Sequence, residues 1–518
     1  MAIADLNYRS YFSVFTKGIS NFSISAFSPF DSSAYSRYDY ETVSSSDISY
    51  TPNTGRIKFT APGDYLIFAC INFSVSGANT TAVMTIEQND TAVYTTSDLK
   101  VYSTVDPRQM VGHIVISVSR GDTVRIRVDG DDSTSRTIGI SEGSHFMAIK
   151  ANGFYSNAFY TADSLGQTDS NYDLFASREG GEVNSKTKGV EYNRSSGEFT
   201  PSATRKFLTL STQHYENSAS RYDLEHRIMI RSQDSEVVDY GVHAAIDPLT
   251  HTIGYALSIS DGTPIRVNNT QGRSGGDTYK ILKGTCLTMF DISNRGADPS
   301  SFLSISTTVS SGRLSINSGD QDVFDQSNYR SSTMVKTDRL AETGVVYTPV
   351  NGRFTASEAG TYLFLLNLTM VPTDAQGTAP IIKVNKNDSA FYVASTQLQQ
   401  HIKPVGWTGM FLANLGATDY LNVIIHDLGG YIDAHGSSVT IIKIDESGGG
   451  RKLFLQRQAS KLVGDDYTLR TFDREVAGYQ SDNVLNNRVP FSKAVTGPRN
   501  LRGRTTAYAP SLGSKTKK

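Results

Sequence analysis

Two segments of the chain carry the G-x-S-x-G pattern, which can hold a nucleophilic serine on a sharp turn. They are Gly139-Ile-Ser141-Glu-Gly143 and Gly272-Arg-Ser274-Gly-Gly276. A serine hydrolase needs this turn to lead from a strand into a helix, and it needs a histidine and an acid as partners. Both segments lie in stretches rich in Gly and Ser, and no helical pattern follows either of them. We therefore interpret both as glycine turns and predict no catalytic residue in them.

The other side chains that could bind a ligand are scattered. Asp129-Gly-Asp131-Asp132 resembles half of a calcium loop, but it lacks the terminal Glu at the spacing of an EF-hand, which favours a solvated turn. The nine histidines form no H-x-x-x-H pair, and we interpret His214, His226 and His243 as ordinary core or surface residues. Trp407, the single Trp, is interpreted as core filling rather than as a sugar-stacking residue. The sequence predicts no enzyme, no cofactor and no metal site.

One pattern of Tyr, Gly and a second aromatic residue occurs three times along the chain. A Gly follows the first Tyr by five positions, and an aromatic residue follows it by fifteen. The copies begin at Tyr50, Tyr192 and Tyr347, which are 142 and 155 residues apart. This interval is the size of a domain rather than of a solenoid repeat. The sequence therefore predicts one β module used three times, with the middle copy the most diverged.

Each copy continues with short β-type segments separated by polar turns. Asn89-Asp-Thr-Ala-Val-Tyr94 recurs as Asn387-Asp-Ser-Ala-Phe-Tyr392, and more faintly as Gln233-Asp-Ser-Glu-Val-Val238. Alternating Val, Ile, Thr, Tyr and Phe between turn residues favour antiparallel strands, and no long helical pattern precedes residue 447. We predict an all-β chain with module 1 at 1–151, module 2 at 152–293, module 3 at 294–446 and an extended C-terminal arm at 447–518.

Cysteine usage and hydropathy give expectations about the compartment. Cys70 and Cys286 lie in apolar, strand-like segments of different modules, so we expect buried thiols rather than a disulfide. The first residues contain no charged-then-apolar leader, and no segment approaches eighteen apolar residues. We therefore expect a protein that is made in a host cytoplasm, with neither a secretion signal nor a transmembrane helix.

The net charge of −2 conceals a basic arm on an acidic body. Residues 447–518 hold 14 Lys and Arg against 5 Asp and Glu, whereas the remainder holds 35 against 46. The apolar residues of the arm are sparse, so the arm alone cannot offset an ordering entropy of roughly 1–2 kcal/mol per residue. Its positive charges could neutralise phosphates, but they cluster only at 499–504. We therefore expect the arm to bind other protein subunits rather than nucleic acid.

The arm carries two kinds of candidate contact residue. Its clustered arginines could pair bidentately with carboxylates of an acidic partner. Its aromatic residues are far enough apart to act as separate apolar anchors, and they should dominate affinity because an exposed charge pair contributes under about 1 kcal/mol. The arginines are Arg499, Arg502 and Arg504, and the aromatic residues are Phe472, Tyr479, Phe491 and Tyr508.

The repeated pattern resembles that of the complement globular-head and tumour-necrosis-factor jelly-roll superfamily. The matching segments are Gly352-Arg-Phe354, Gly360-Thr-Tyr362-Leu-Phe364, the hairpin pairs Asn89-Asp90 and Asn387-Asp388, and Gly121-Asp122-Thr-Val124. The resemblance covers all three modules and implies tandem antiparallel jelly-roll sandwiches of ten strands. It also implies trimerisation around an aromatic-lined axis, and relatives of this kind occur in virus and phage particles.

Tandem β modules, a leaderless thiol-poor sequence and a basic arm together favour a structural virion protein. We expect a capsid decoration, minor capsid or fibre-like subunit of a tailed phage, with capsid or tail subunits as its partners. The alternative is a soluble glycan- or receptor-binding protein, which would recognise a host-surface glycan. Two arrangements remain open, because the modules could pack as an intrachain pseudo-trimer or string out and form a homo-oligomer between chains.

Overall fold

Antiparallel β-strands make up most of the described chain, and the three short 3-10 turns are Ser32–Ala34, Pro52–Thr54 and Gln326–Asn328. The computed structural model describes residues 10–444 apart from gaps at 18–19, 24–26, 35–39, 76–79, 97–98, 102–107, 131–136, 152, 165–170, 177–180, 218–221, 231–234, 239–240, 245–248, 272–278, 293–301, 308–312, 317–318, 329–334, 339–343, 373–379, 396–404, 427–428 and 434–436. The predicted all-β class is therefore confirmed for the described residues.

Module 1 contains two antiparallel sheets. Its strands are β1 Tyr11–Thr16, β2 Ser20–Ser23, β3 Tyr40–Ser44, β4 Ile48–Thr51, β5 Arg56–Phe59, β6 Gly63–Val75, β7 Thr80–Gln88, β8 Thr91–Thr95, β9 Leu99–Val101, β10 Arg108–Val118, β11 Thr123–Gly130, β12 Thr137–Ile140 and β13 His145–Lys150. In each module we call the sheet that contains the long central strand, here β6, the inner sheet and the other one the outer sheet. The inner sheet has the order β2-β12-β6-β13-β1-β3, with β10 also paired to β6. The outer sheet has the order β4-β5-β11-β7-β8, with β9 also paired to β7.

Module 2 repeats this plan. Its strands are β14 Tyr155–Tyr160, β15 Asn171–Asp173, β16 Val183–Lys188, β17 Val190–Asn193, β18 Glu198–Pro201, β19 Arg205–Asn217, β20 Tyr222–Ile230, β21 Ser235–Val238, β22 Gly241–Ala244, β23 Leu249–Ile259, β24 Ile265–Gln271, β25 Tyr279–Ile281 and β26 Cys286–Asp291. The inner sheet has the order β16-β14-β26-β19-β23, with β25 also paired to β19. The outer sheet has the order β17-β18-β24-β20-β21, with β15 also paired to β24 and β22 also paired to β20.

Module 3 has the same strand order around its central strand. Its strands are β27 Phe302–Thr307, β28 Arg313–Ile316, β29 Asp320–Asp322, β30 Val335–Asp338, β31 Val345–Thr348, β32 Arg353–Ala356, β33 Gly360–Pro372, β34 Ile381–Lys386, β35 Ser389–Ser395, β36 Val405–Leu415, β37 Tyr420–His426, β38 Gly430–Asp433 and β39 Ser438–Lys443. The inner sheet is β28-β38-β33-β39-β27-β30, with β36 also paired to β33. The outer sheet is β31-β32-β37-β34-β35, with β29 also paired to β37.

Successive strands in each module cross between the two sheets, as in a jelly roll. In module 1 the chain passes from β5 in the outer sheet to β6 in the inner sheet and then to β7 in the outer sheet. The same crossing occurs through β18, β19 and β20 and through β32, β33 and β34. The predicted architecture of several antiparallel sandwiches is confirmed.

The repeated Tyr and Gly have one physical role in all three copies. Each first Tyr donates its hydroxyl hydrogen to the carbonyl of a Phe 17–23 residues earlier in the chain, at 2.5–2.6 Å. The Gly five positions later has a φ of 62–73°, a left-handed conformation that favours glycine. The pairs are Tyr50 with Phe30, Tyr192 with Phe175 and Tyr347 with Phe324, and the glycines are Gly55, Gly197 and Gly352.

The middle module differs from its neighbours inside the sandwich. Alternate residues of a strand face the same side of a sheet, so register identifies equivalent inward positions. On β19 three such positions are Thr209, Ser211 and Gln213, all fully buried. The equivalent positions are Ile67, Ala69 and Ile71 on β6, and Phe364, Leu366 and Leu368 on β33. Divergence of the middle copy has therefore replaced an apolar strand face with a polar one.

Candidate assembly interface

The central strands of the three inner sheets alternate between two buried environments. On β6, Tyr65 and Ile67 pack in the core of module 1, whereas Leu66 and Phe68 pack in a different cluster. The second cluster contains side chains from all three modules, and we call it the inter-module core. Both faces of each inner sheet are therefore covered, which explains why these strands read as nearly continuous apolar runs.

The inter-module core has an apolar end at which equivalent residues of the modules meet. Two sets of three are related by register, and every member is at most 2% exposed. Burying an aliphatic or aromatic side chain of this size contributes roughly 1.5–3 kcal/mol. These six residues are Leu66, Leu208, Leu363, Ile149, Phe290 and Ile442. The three modules thus share one core, and the arrangement is the compact one of the two that the sequence left open.

The resemblance implied an aromatic-lined axis, but aliphatic residues predominate in the inter-module core. Its aromatic members among the buried described residues are Phe68, Tyr155 and Phe290. Glycine also allows a close approach, because a Cβ on Gly254 of module 2 would lie 2.5 Å from a methyl carbon of Leu365 in module 3. Small and aliphatic residues therefore set the distance between these two modules.

Beyond the apolar end, the contacts between modules 1 and 2 become polar. The ring nitrogens of His113 in module 1 lie 2.8 Å from Thr288 Oγ1 and 3.4 Å from Cys286 Sγ in module 2. Asn157 donates its amide hydrogen to the same Thr288 hydroxyl at 2.8 Å. All four residues are fully buried, so each bond replaces one that water would otherwise make.

Contacts between modules 1 and 3 depend on a second buried histidine. The Met410 backbone N–H in module 3 donates to His145 Nε2 of module 1 at 3.0 Å. Because Nε2 accepts, the ring proton lies on Nδ1, which donates to the Gly143 carbonyl at 3.1 Å. Phe68 stacks on this ring and also on His113, with centroids 5.4 and 6.1 Å apart. The neutral imidazole is therefore the form that fits the interface.

Thr408 of module 3 is bonded to both other modules. Its hydroxyl donates to the Thr252 carbonyl of module 2 at 3.1 Å. Its backbone N–H donates to Gln109 Oε1 of module 1 at 3.0 Å, and its carbonyl accepts from Gln109 Nε2 at 2.7 Å. The Gln109 amide thus replaces the two bonds that a neighbouring strand would make. His214 of module 2 also acts on His113 through its charge. We call His113, His145, His214, Thr288 and Thr408 the polar layer of the interface.

The repeated hairpin tyrosines bridge neighbouring modules. Tyr94 of module 1 donates its hydroxyl hydrogen to the Gly284 carbonyl of module 2 at 2.5 Å, and Tyr392 of module 3 donates to Gly143 of module 1 at 2.7 Å. Val238 of module 2 occupies the same register position, opposite Ile228 and beside an irregularity in the pairing. The sequence repeat therefore marks an inter-module contact, and the middle copy lacks its hydroxyl.

Burial keeps the ionisable groups of the polar layer neutral. It lowers the pKa of His113 to about 3 and the pKa values of His145 and His214 to about 4. Burial also raises the pKa of the Cys286 thiol to about 12. The Cys286–His113 contact is therefore a thiol beside a neutral imidazole rather than a thiolate–imidazolium pair, so it lacks an activated nucleophile.

A surface ion pair adds to the contact between modules 1 and 2. Lys186 Nζ lies 3.1 Å from Asp64 Oδ1 and donates to Ser117 Oγ at 2.8 Å. Burial raises the pKa of Asp64, but hydrogen bonds from Ser117 and Lys186 outweigh this effect and hold it below its usual value. Because the pair is partly exposed, its contribution is small beside that of the buried contacts.

The structure places several of the candidate residues from the sequence. Ser141 lies in the turn between β12 and β13, where its carbonyl accepts from Thr16 Oγ1, so the strand-to-helix turn of a nucleophile elbow is not formed there. Asp129 pairs with Arg127 at 3.0 Å. Trp407 is 1% exposed in the core of module 3, which confirms the core-filling interpretation.

Cys70 and Cys286 are buried free thiols, as predicted. His214 is 4% exposed, so of the two placements left open by the sequence, core or surface, it takes the buried one. The remaining candidates lie outside the described residues or have no described side chain. They are the segment 272–276, Asp131, Asp132, His226, His243 and the arm residues Phe472, Tyr479, Phe491, Arg499, Arg502, Arg504 and Tyr508.

Within the described ranges there is no group of three or more His, Cys, Asp or Glu residues arranged to hold a metal ion. Those ranges also contain no helix that is long and apolar enough to cross a membrane.

The sequence reasoning missed His113, His145, Gln109 and Thr408 as interface residues. His113, His145 and Thr408 lie in strands where their neighbours on both sides are buried, so composition alone assigns them to a module core. A usable signal was present, because polar residues interrupt strands that are otherwise apolar on both faces. Such strands need a second covering layer, and the tandem copies supply one.

The sequence matches no protein-family model and no curated protein sequence. Among solved structures the chain is similar to GITRL from bushbaby, with 11% identity and a TM-score of 0.17 over 28% of this chain and 98% of that one. It is similar to murine APRIL, with 11% identity and a TM-score of 0.20 over 27% and 98%. It is also similar to Eiger TNF from S. frugiperda, with 12% identity and a TM-score of 0.21 over 29% and 97%. The fold assignment therefore rests on the strand order of the sheets.

Proposed function

We propose that the protein is a structural component of a virion, either a capsid decoration, a minor capsid protein or a fibre-like subunit of a tailed phage. The observation that supports this most is the shared inter-module core, in which Leu66, Leu208 and Leu363 come from three modules of one chain. Fusion of the modules gives one compact body without requiring three chains to associate. A compact body of this kind suits a protein whose task is to project from, or clamp, a larger assembly.

The basic arm would provide the attachment. Ile444 is the last described residue; it is 2% exposed and belongs to the inter-module core. Its N–H donates to the Thr361 carbonyl at 2.9 Å, so the fold of module 3 reaches this residue. The arm of 447–518 follows with its excess of Lys and Arg. An acidic capsid or tail surface is the partner that this charge would fit.

Mass spectrometry of purified particles tests the proposed location. The protein should be present at a fixed copy number relative to the major subunit, and absence from all particles would exclude a virion role. Deletion of 451–518 tests the attachment, because the described modules end at Ile444 and should remain folded. We expect the truncated protein to keep its circular dichroism spectrum and to lose incorporation into particles.

Two sets of substitutions separate the kinds of arm contact. Ala substitutions at Phe472, Tyr479, Phe491 and Tyr508 should abolish incorporation if apolar anchors dominate. Conservative Lys substitutions at 499, 502 and 504 retain the charge and serve as the matched control, with a smaller effect expected. If incorporation instead followed only salt concentration and ignored the aromatic substitutions, the arm would bind by electrostatics alone, as in nucleic-acid binding.

A further inference from the structure

The two ends of the inter-module axis differ in chemistry. Register places Ile149 opposite Leu66 at the apolar end, and His145 opposite Cys70 four residues away on the same strands. Four residues of a strand span about 13 Å, so the polar layer and the apolar end are separate parts of one interface. A change in charge at the polar layer therefore need not disturb the apolar end.

The bond between His145 and Met410 exists only while the imidazole is neutral. His145 Nε2 accepts the Met410 N–H at 3.0 Å, and Nδ1 is already bonded to the Gly143 carbonyl. A second proton on Nε2 would face the Met410 N–H with another donor and would remove this bond. The ring is fully buried, so water cannot replace the lost partner without separation of the modules.

The other two histidines respond in the same direction. His113 is fully buried between Thr288 and Cys286 of module 2, and the charge of His214 acts on it. His214 is 4% exposed, and its Nδ1 lies 2.9 Å from Thr250 Oγ1. Protonation of one ring therefore disfavours protonation of the other until the modules separate.

The other titratable groups facing the layer do not supply a compensating negative charge. Burial raises the pKa values of the Cys70 and Cys286 thiols and of the Tyr94 and Tyr392 phenols, so these groups stay neutral in acid. Glu142 is the nearby carboxyl that acts on Tyr392, and burial raises its pKa as well. It therefore loses charge as the histidines gain it. Within the described part of the chain, the effect of His214 on His113 is the one electrostatic effect of a charged group on these three rings.

We propose that the polar layer is an acid-operated switch: protonation of His145 and His113 separates module 1 from modules 2 and 3 at this end, while the apolar end holds the three modules together. Acid favours the open state because an exposed histidine titrates near 6.5, whereas His145 in the closed state has a pKa of about 4. Between pH 7.5 and 4.5, His145 alone should raise the opening constant by roughly 70-fold. The Asp64–Lys186 pair responds only at lower pH, because the pKa of Asp64 lies below its usual value.

Hydrogen exchange on the full-length protein tests the switch. Protection factors are measured at pH 7.5, 5.5 and 4.5 for peptides spanning Met410 and for peptides spanning Thr361–Leu366 at the apolar end. We expect protection at Met410 to fall by roughly 70-fold or more by pH 4.5, with far-ultraviolet circular dichroism and the apolar end unchanged. Unchanged protection at Met410, or loss at both ends together, would overturn the proposal.

Two variants complete the experiment. In His145→Gln the side-chain oxygen can accept the Met410 N–H but cannot take up a proton, so protection at Met410 should fall less than tenfold over the same range. His426→Gln is the matched control, because His426 is a partly exposed residue paired with Asp320 on the outer sheet. It should behave as the unsubstituted protein. If His145→Gln lost as much protection at Met410 as the unsubstituted protein, His145 would not be the switch. If this variant does not fold, the proposal is decided by comparing protection at Met410 with protection at Thr361–Leu366 in the unsubstituted protein.

Discussion

Removal of the Tyr94 hydroxyl should weaken the contact between modules 1 and 2. This hydroxyl donates to the Gly284 carbonyl, and among the described residues no second donor reaches that oxygen. A buried hydrogen bond contributes about 1 kcal/mol net, but a buried acceptor left without a partner costs about 1–3 kcal/mol. We therefore expect Tyr94→Phe to lower the free energy of unfolding by about 1–3 kcal/mol.

Tyr392→Phe provides an internal comparison, because its acceptor keeps a second donor. The Gly143 carbonyl accepts from Tyr392 and also from His145 Nδ1, so it remains bonded after the substitution. The expected loss is only the net value of one hydrogen bond, about 0.5–1.5 kcal/mol. Both substitutions remove a Tyr hydroxyl group. The difference between the two losses of unfolding free energy therefore measures the cost of leaving the Gly284 carbonyl without a hydrogen bond.

Urea unfolding followed by circular dichroism and by fluorescence measures both effects. Trp407 is the single Trp and is buried in module 3, so its emission reports that module, while circular dichroism reports all three. Tyr65→Phe is the control, because its hydroxyl bonds the Ala61 carbonyl within module 1. The reasoning is refuted if Tyr392→Phe is as costly as Tyr94→Phe, or if the fluorescence midpoint does not shift in either variant.

Three further perturbations have defined outcomes. Gln213→Leu should raise the urea midpoint by the equivalent of about 1–3 kcal/mol, because the buried amide has no hydrogen-bond partner within the described part of the chain. Gly254→Ala should cost about 1–3 kcal/mol through overlap with Leu365, and hydrogen exchange should locate the loss at β23 and β33. Burial raises the pKa of Asp322 to about 6, so protonation stabilises the folded state as pH falls from about 6 towards 4. Asp322→Asn should remove this gain of up to about 3 kcal/mol in unfolding experiments across that range, and a persistent gain would contradict the assignment.

Local signals in the sequence were sufficient for the strands and the turns. The Asn89–Asp90 and Asn387–Asp388 pairs have φ values of 50–65°, as a two-residue hairpin requires, so the hairpins could be predicted. The strand segments were equally clear, since apolar, β-branched and aromatic residues dominate segments such as His145–Lys150 and Ser438–Lys443, which form strands. These features depend on residues close together in the chain, and for that reason sequence reasoning finds them.

The interface could not be predicted in the same way. His113 and Thr288 are 175 residues apart, and Gln109 and Thr408 are 299 apart. Nothing in the local pattern distinguishes a strand face that packs within its own module from one that packs against another copy. The repeated hairpin Tyr was visible in the sequence, but its acceptor lies in a different module, so its role was hidden.

The three copies, the β class and the hairpin turns could be read from the sequence alone, because each depends on local conformational preference or on alternation along a strand. The shared core of the three sandwiches became visible only in the folded chain, because it depends on which apolar faces remain uncovered after each module has folded. Leu66 and Ile67 are neighbours of similar character, yet one lies in the inter-module core and the other in its own sandwich. Successive side chains of a strand point to opposite faces of the sheet. Leu66 therefore packs against the other two modules, whereas Ile67 packs inside its own sandwich.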